Sequence, residues 1–227
     1  MNSPTAILIF ANSSQDVRKF NSLAHSNKLI EQLNASTLKT VKKTKLPYFL
    51  ITEKEQCGLT FGERFENAIK MVFNKGYENV ITIGNDTPQL KPQHILDAKS
   101  HLDKNNFIIG PSLDGGFYLM GIARGHFDKI SFLELPWQTS YLQKSISLQI
   151  TALGVEVLKL VRLQDIDCLF DLKKIYTWAY RVCIKLVAII STLLQISVSF
   201  SFISKFLIVK RERKRYFNKG SPIFLSI

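Results

Sequence analysis

The sequence predicts an α/β sandwich, in which a mostly parallel sheet is flanked by helices, and three observations support this. Short apolar runs, typical of buried parallel strands, alternate with segments whose apolar residues recur at helical spacing. The chain has 227 residues, 46% of them hydrophobic, which is enough to bury the core of one such domain. No internal repeat and no linker rich in Pro, Gly or Ser divides the chain before residue 190.

Strands are predicted at short β-rich apolar runs. The first run, Thr5–Phe10, is continuously apolar, as expected of a buried parallel strand, and it is too short and lacks the preceding basic residues for a secretion signal. The other predicted strands are Tyr48–Ile51, Val80–Ile83, Phe107–Ile109, Phe117–Ile122 and Glu156–Leu160.

Helices are predicted from apolar spacing and from capping residues. Polar residues 12–14 are suitable N-caps for a helix that extends to about Leu33. Thr60–Asn74 carries apolar residues at helical spacing and ends at Gly76, and Pro92 begins a helix that extends to Leu102. Two further helices are predicted at Ser140–Leu153 and Asp167–Tyr180.

The C-terminal segment allows two interpretations. Residues 186–204 are uncharged and nearly long enough to span a membrane, and basic residues follow them. Ser197–Phe202, however, alternates polar and apolar residues, a pattern typical of a strand. We therefore predict one α/β domain over residues 1–180 and a helix–strand extension over 181–227. Peripheral membrane association through this extension is the alternative.

Composition limits the classes of ligand that the chain is expected to bind. The formal net charge is +12, and neither of the basic clusters at 39–45 and 210–219 is interleaved with aromatic residues in the pattern typical of nucleic-acid binding. This distribution disfavours nucleic acid and is compatible with small anionic ligands such as nucleotides. The three cysteines and four histidines show no metal-ligand spacing, so zinc is not predicted and a reducing cytoplasm is.

Carboxylates at strand ends are the strongest functional signal. Asp86 follows a buried strand within Gly84-Asn-Asp-Thr-Pro88, where a divalent cation bound to phosphates would find a ligand. A turn-capping role is the alternative for Asp86. Asp114 precedes Gly115 and Gly116 in a loop that suits a sugar or an acceptor, although Asp-Gly is also a strong hairpin signal.

Two further segments carry candidate groups. Asp165 is predicted to lie at a strand end and to point towards the same cleft, whereas Asp167 is a candidate helix N-cap. Either would serve as a second metal ligand. In the loop Gln56–Arg64, the glycines would let a planar base approach the backbone, and Arg64 would contact phosphate or form a surface ion pair.

The ordered motifs resemble a bacterial family of GT-A-like glycosyltransferases. That family is related to the molybdenum-cofactor and phospholactate guanylyltransferases. The resemblance covers roughly residues 5–180. It is carried by residues 6–11, Gln56-x-Gly-x-x-Phe-Gly-Glu-Arg64, Ile83-Gly-Asn-Asp-Thr-Pro-x-Leu90, Gly110-Pro-x-x-Asp-Gly-Gly-Phe-Tyr-Leu119, Pro136-Trp137 and Asp165-Ile-Asp-x-x-x-Asp-Leu172.

The resemblance implies a Rossmann-like nucleotide-diphospho-sugar transferase fold and a metal-dependent transferase. Asp86 would bind Mg²⁺ or Mn²⁺ with Asp165 or Asp167, and Asp86 and Asp114 would be the catalytic carboxylates. The expected partners are a nucleotide-activated donor and an unidentified acceptor. The predicted nucleotide contacts are Asn12, Arg18, Lys19, Gln56, Gly58, Arg64, Asn85, Gly115 and Gly116.

The loop after the first strand departs from the related nucleotidyltransferases. Those enzymes hold a triphosphate on a glycine-rich loop at this point, whereas Asn12–Lys19 contains no glycine. Transfer of a sugar from a nucleotide diphosphate demands less of that loop and is the preferred prediction. The alternatives are a nucleotidyltransferase that releases pyrophosphate and a non-catalytic nucleotide-binding or scaffold domain.

Overall fold

A computed structural model describes residues 4–12, 26–166, 169–179 and 184–194. The strands are β1 Thr5–Phe10, β2 Tyr48–Ile51, β3 Asn79–Ile83, β4 Phe107–Pro111, β5 Phe117–Ala123 and β6 Val157–Lys159. The helices are α1 Ser26–Lys42, α2 Phe61–Asn74, α3 Pro92–Leu102, α4 Arg124–Phe127, α5 Leu142–Ala152, α6 Leu169–Ala179 and α7 Ile184–Leu193.

The strands form one six-stranded sheet in the order β2-β1-β3-β5-β4-β6. The pairs β1–β2, β1–β3 and β4–β6 are parallel, whereas β5 is antiparallel to both of its neighbours, β3 and β4. The predicted mostly parallel sheet is therefore confirmed. Reversal of β5 follows from its short connection to β4, because only antiparallel strands can be joined by a tight turn.

Helices cover both faces of the sheet. The buried residues of α2 and α5 pack in one apolar cluster with one face of β1, β3, β4 and β5. Residues of α1 and α3 pack in a second cluster against the opposite face. This arrangement leaves the edge at which β1 and β3 end open to ligands, as in other open α/β sheets.

The predicted end of the first helix was wrong. Helix α1 continues past Leu33 to Lys42, because buried Thr37 and Val41 extend its apolar stripe by two turns. Lys39 and Lys42 lie in its last turn, where positive charge favours a helix, so part of the basic cluster belongs to this helix. The short helix α4 was not predicted.

The described part of the predicted C-terminal extension is a helix that packs against earlier helices of the chain. Helix α7 contacts α1 and α6, and its buried Leu186, Val187 and Ile190 share a cluster with Leu29 and Ile175. None of the helices in the described ranges has the length and apolar character that a bilayer crossing requires. The predicted strand Ser197–Phe202 lies outside the described residues.

Candidate functional site

A cleft of about 730 Å³ opens at the edge of the sheet where β1 and β3 end. Its floor includes Thr82 and Gly84 of the β3 end and Tyr118 of β5, and its walls come from loops that follow β1, β2, β4 and β6. The predicted residues that line it are Asn12, Gln56, Arg64, Asn85, Asp86, Asp114, Gly116 and Asp165.

Asp86 and Asp165, which are distant in sequence, meet in this cleft. The backbone N–H of Ile166 donates to the carbonyl of Asp86 at 2.9 Å. The buried hydroxyl of Thr87 donates to Asp165 Oδ1, and the same hydroxyl oxygen lies 3.4 Å from Asp86 Oδ1. One hydroxyl thus contacts both carboxylates, and the backbone bond keeps their two segments in register.

Three hydrogen bonds hold the segment that carries Asp165. Leu163 N–H donates to the Pro111 carbonyl at 3.1 Å, and Gln164 N–H donates to Gln89 Oε1 at 3.0 Å. The Tyr118 hydroxyl donates to the Val161 carbonyl at 2.9 Å.

Tyr118 is suited to this donor role. Burial raises the pKa of its phenol above the ordinary value, and the negative charge of Asp165 raises it further. The hydroxyl therefore stays protonated at neutral pH. The ring lies over Gly110, where a Cβ atom would be only 2.5 Å from Tyr118 Cζ.

Asp114 lies in the turn between β4 and β5, and its carboxylate has partners within that turn. Ser112 Oγ donates to Asp114 Oδ1 at 2.5 Å, and Gly116 N–H donates to the same oxygen at 3.0 Å. The turn therefore has the hairpin character considered from the sequence, and Asp114 and Gly116 also line the cleft. Gly115 does not line it, and a Cβ there would clash with the Ser140 carbonyl oxygen.

The predicted nucleotide contacts differ in how their side chains are used. Asn85 Nδ2 donates to the Asn12 carbonyl at 3.2 Å and to Asn34 Oδ1 at 2.5 Å, so it ties β1, β3 and α1 together. Gln56 Nε2 donates to the Ala11 carbonyl at 3.5 Å, and Arg64 Nη1 donates to the Leu59 carbonyl at 3.1 Å.

The loop glycines serve packing. Gly58 lies outside the cleft lining and has a φ of 137°, and a Cβ there would be 2.7 Å from Glu63 Cβ. Gly62 faces Trp137, with its absent Cβ position only 2.7 Å from Trp137 Nε1. The space that these glycines leave is therefore filled by the protein itself. Three other predicted site residues, Arg18, Lys19 and Asp167, lie outside the described residues.

The residues present fit a magnesium-type ion. Mg²⁺ is commonly bound through one or two carboxylates together with substrate phosphates, and Asp86 and Asp165 supply two carboxylates at the open end of the cleft. A site built from protein alone is not expected on this scheme. Within the described ranges, no group of three or more His, Cys, Asp or Glu residues is placed to hold a metal.

Sequence reasoning missed one carboxylate and the aromatic part of the cleft. Glu53 lines the cleft from the loop after β2, and Phe61, Phe117, Trp137 and Gln138 line it as well. The Pro136-Trp137 pair entered the prediction only as part of the resemblance. Because helical spacing explains Phe61 as a core residue, only the tertiary structure shows that it reaches the cleft.

The charge of the cleft is opposite to that of the chain. Its described lining carries the acidic residues Glu53, Asp86, Asp114 and Asp165, and one basic residue, Arg64. The whole chain has a net charge of +12. An anionic ligand entering this lining would therefore be repelled unless a cation accompanied it.

Residues 33–139 match the sequence profile of a family described as "Uncharacterized protein conserved in bacteria (DUF2064)". The resemblance predicted from the motifs is confirmed by this match. The match includes the segments around Arg64, Asp86, Asp114 and Trp137, whereas Asp165 lies beyond it. None of the curated proteins matches the sequence significantly.

Two solved structures show the same fold. A proposed nucleotide-diphospho-sugar transferase from Desulfovibrio desulfuricans G20 superposes with a TM-score of 0.72 at 20% identity, over 87% of this chain and 100% of that one. A homologue of Mycobacterium tuberculosis Rv0371c from Mycobacterium sp. strain JC1 gives a TM-score of 0.50 at 13% identity, over 81% and 100%. The chain therefore has the nucleotide-diphospho-sugar transferase fold.

Proposed function

We propose that this chain is a metal-dependent transferase that uses a nucleotide-activated donor, most simply a nucleotide sugar. The observation that carries the proposal is the meeting of Asp86 and Asp165 at the open edge of the sheet, linked to each other through Thr87 and Ile166. The fold and the similarity to a proposed nucleotide-diphospho-sugar transferase support it. Fold alone constrains chemistry weakly, so these side chains carry the proposal.

The proposed roles follow from the lining. Asp86 and Asp165 would hold Mg²⁺ or Mn²⁺, and Asp167 is a further candidate ligand from the sequence. When bound, the cation supplies positive charge that stabilises the diphosphate leaving group. Arg64, and Arg18 and Lys19 from the sequence, would contact phosphate oxygens.

Asp114 would act on the acceptor. In the proposed reaction an acceptor oxygen forms a bond to the anomeric carbon, and the bond from that carbon to the diphosphate oxygen breaks. The diphosphate leaves with the electron pair, and the proton of the acceptor hydroxyl passes to the Asp114 carboxylate. Hydrogen bonds from Ser112 and Gly116 to Oδ1 orient that carboxylate.

A nucleotide panel with metal tests the proposal. The melting temperature is measured with nucleoside diphosphates and nucleotide sugars, each with and without Mn²⁺. Ligand at about 100 times its Kd stabilises the folded protein by about 2.7 kcal/mol, so we expect a shift of roughly 5–10 °C that requires Mn²⁺.

Isosteric variants connect that shift to the carboxylates. Asp86→Asn and Asp165→Asn should remove the Mn²⁺-dependent shift, whereas Asp128→Asn, an exposed carboxylate outside the cleft lining, should keep it. The absence of any shift, or an equal shift in Asp86→Asn, would contradict the proposal. Release of pyrophosphate from a nucleoside triphosphate would instead favour the nucleotidyltransferase alternative.

A further inference from the structure

One part of the cleft is lined by aromatic rings that pack on one another. The Trp137 ring lies with its centroid 4.8 Å from that of Phe61, 5.1 Å from Phe65 and 6.3 Å from Phe117. All four rings line the cleft. Trp137 is half-buried, so part of its surface remains exposed to solvent. Apolar surface held open to water in this way is stabilised when a ligand covers it.

The orientation of Trp137 is set by two contacts beneath it. Its Nε1–H donates to the Phe132 carbonyl at 2.7 Å. Gly62 provides the necessary space, because a Cβ at that position would lie 2.7 Å from Trp137 Nε1 and 2.9 Å from the Phe132 oxygen. The indole N–H is therefore already hydrogen-bonded within the protein. This bond and the close packing on Gly62 hold the ring in one orientation.

The turn that carries Trp137 has an unusual backbone. Gln138, which also lines the cleft, has a φ of 61°, in the left-handed region that favours glycine. Hydrogen bonds on either side maintain the turn: Trp137 N–H donates to the Leu135 carbonyl at 2.8 Å, and Thr139 Oγ1 donates to the Pro136 carbonyl at 2.7 Å. Non-glycine residues persist in such conformations where the surroundings determine them, often at ligand sites.

We propose that Trp137 is a stacking platform for a ring with a flat apolar face, and that it contributes to substrate specificity. The ring is either the sugar of the donor or acceptor, through its face of C–H groups, or the base of the nucleotide. Asp114 and Gln138, which line the same cleft, can hydrogen-bond the polar edge of such a ring. This subsite rests on the proposed function only in taking its ligands from that reaction.

Tryptophan emission gives a direct test. The chain has two tryptophans, Trp137 and Trp178, so Trp178→Phe leaves Trp137 as the single reporter. This variant is titrated with nucleoside diphosphates plus Mn²⁺, with the corresponding nucleotide sugars, and with methyl and p-nitrophenyl glycosides. We expect a saturable change in Trp137 emission. A response to nucleoside diphosphates identifies the base as the stacked ring, and a response to glycosides identifies the sugar.

Substitution measures how much the platform contributes. Base stacking on an aromatic side chain is worth about 1–3 kcal/mol, so Trp137→Leu should bind the responding probe about tenfold more weakly or worse. Isothermal titration calorimetry measures these affinities, because Trp137→Leu lacks the emitting ring. Trp137→Phe, which keeps an aromatic ring, should lose less. Tyr141→Leu is the control, because Tyr141 is an exposed aromatic residue near the cleft that does not line it. Melting curves establish that each variant is folded.

Two outcomes would overturn the inference: an emission that no probe changes, or equal affinities for Trp137→Leu and Tyr141→Leu. The proposed function fails separately. A Mn²⁺-dependent melting shift with an unresponsive Trp137 would leave the transferase proposal standing without this platform. An emission change with glycosides in the absence of any nucleotide binding would support the Trp137 platform and contradict the transferase proposal.

Discussion

The carboxylate part and the aromatic part of the cleft are held together by different forces. Asp86 and Asp165 are placed by a hydroxyl and by single hydrogen bonds between distant segments. Trp137 is placed by ring packing and one indole hydrogen bond. A typical hydrogen bond contributes about 0.5–1.5 kcal/mol, whereas close packing resists any change in volume. The carboxylate part should therefore respond to polarity and pH, and the aromatic part to side-chain size.

Substitution of either of two glycines by alanine should have the largest effects, one in each part of the cleft. At Gly110 a Cβ would be 2.5 Å from the buried Tyr118 ring, and at Gly62 it would be 2.7 Å from Trp137 Nε1. Overpacking costs about 1–3 kcal/mol, so each variant should melt roughly 3–10 °C lower. Gly110→Ala should also weaken Mn²⁺ binding, because Tyr118 holds the segment of Asp165, whereas Gly62→Ala should shift the Trp137 emission.

Gly125→Ala is the matched control, since a Cβ added at Gly125 would meet nothing within 4 Å and the φ of this residue is not in the left-handed region. Its melting temperature should be within about a degree of the parent. If Gly110→Ala altered the Trp137 emission as strongly as Gly62→Ala, the two parts of the cleft would not be separable in the way described.

Removal of the Thr87 hydroxyl should weaken metal binding by the carboxylate part of the cleft and leave the aromatic part unchanged. Thr87→Val keeps the shape of the side chain but removes the donor to Asp165. Loss of a residue that orients metal ligands typically costs about 10–100-fold in metal affinity. In the presence of a nucleoside diphosphate, Mn²⁺ should therefore bind at least about tenfold more weakly, as measured by electron paramagnetic resonance of the free ion. Thr87→Ser should restore most of the affinity.

Thr37→Val supplies the comparison for that experiment, because Thr37 is also buried but lies on α1, away from the cleft lining. Equal Mn²⁺ affinities in Thr87→Val and Thr37→Val would remove Thr87 from its positioning role. The glycoside response of Trp137 should be the same in both variants.

The smallest predicted effect is on acid stability. Burial lowers the pKa of His94, the positive charge of Lys91 lowers it further, and Asp97 opposes this. A lowered pKa favours the neutral form in the folded state. The stability that His94 contributes is therefore present above its unfolded pKa of about 6.5 and is lost as the pH falls through its folded value. Denaturant unfolding between pH 7.5 and 5 should show this loss.

His94→Gln should reduce that pH dependence. His126, whose pKa is lowered by burial and by Lys129, has the same sign and accounts for a remaining slope. An unchanged pH profile in His94→Gln would assign the whole effect to other groups.

Local pattern was sufficient for most of the fold. Runs such as Thr5–Phe10 and Tyr48–Ile51 form strands at the predicted bounds. Thr5–Phe10 is buried, as expected of a continuous apolar segment of this length, whereas Tyr48–Ile51 forms a largely exposed edge strand beside it. The end of α1 was misjudged, because buried Thr37 does not look apolar in the sequence. The pairing of β5 with β3 could not be read locally, since these two strands are far apart in the chain.

For the candidate site, the sequence identified the carboxylates, and the tertiary structure showed which residues they contact. Asp86 and Asp114 were recognisable because a glycine and a carboxylate after an apolar run mark a strand end. Contact of Asp165 with Thr87 depends on a segment that begins some seventy residues after Asp86 and is held by Tyr118 and Gln89. Likewise, the sequence suggested that Gly62 leaves space for a nucleotide base, whereas the structure shows that Trp137 fills this space. Composition and periodicity report which side chains are buried, whereas long-range hydrogen bonds and packing decide which of them meet.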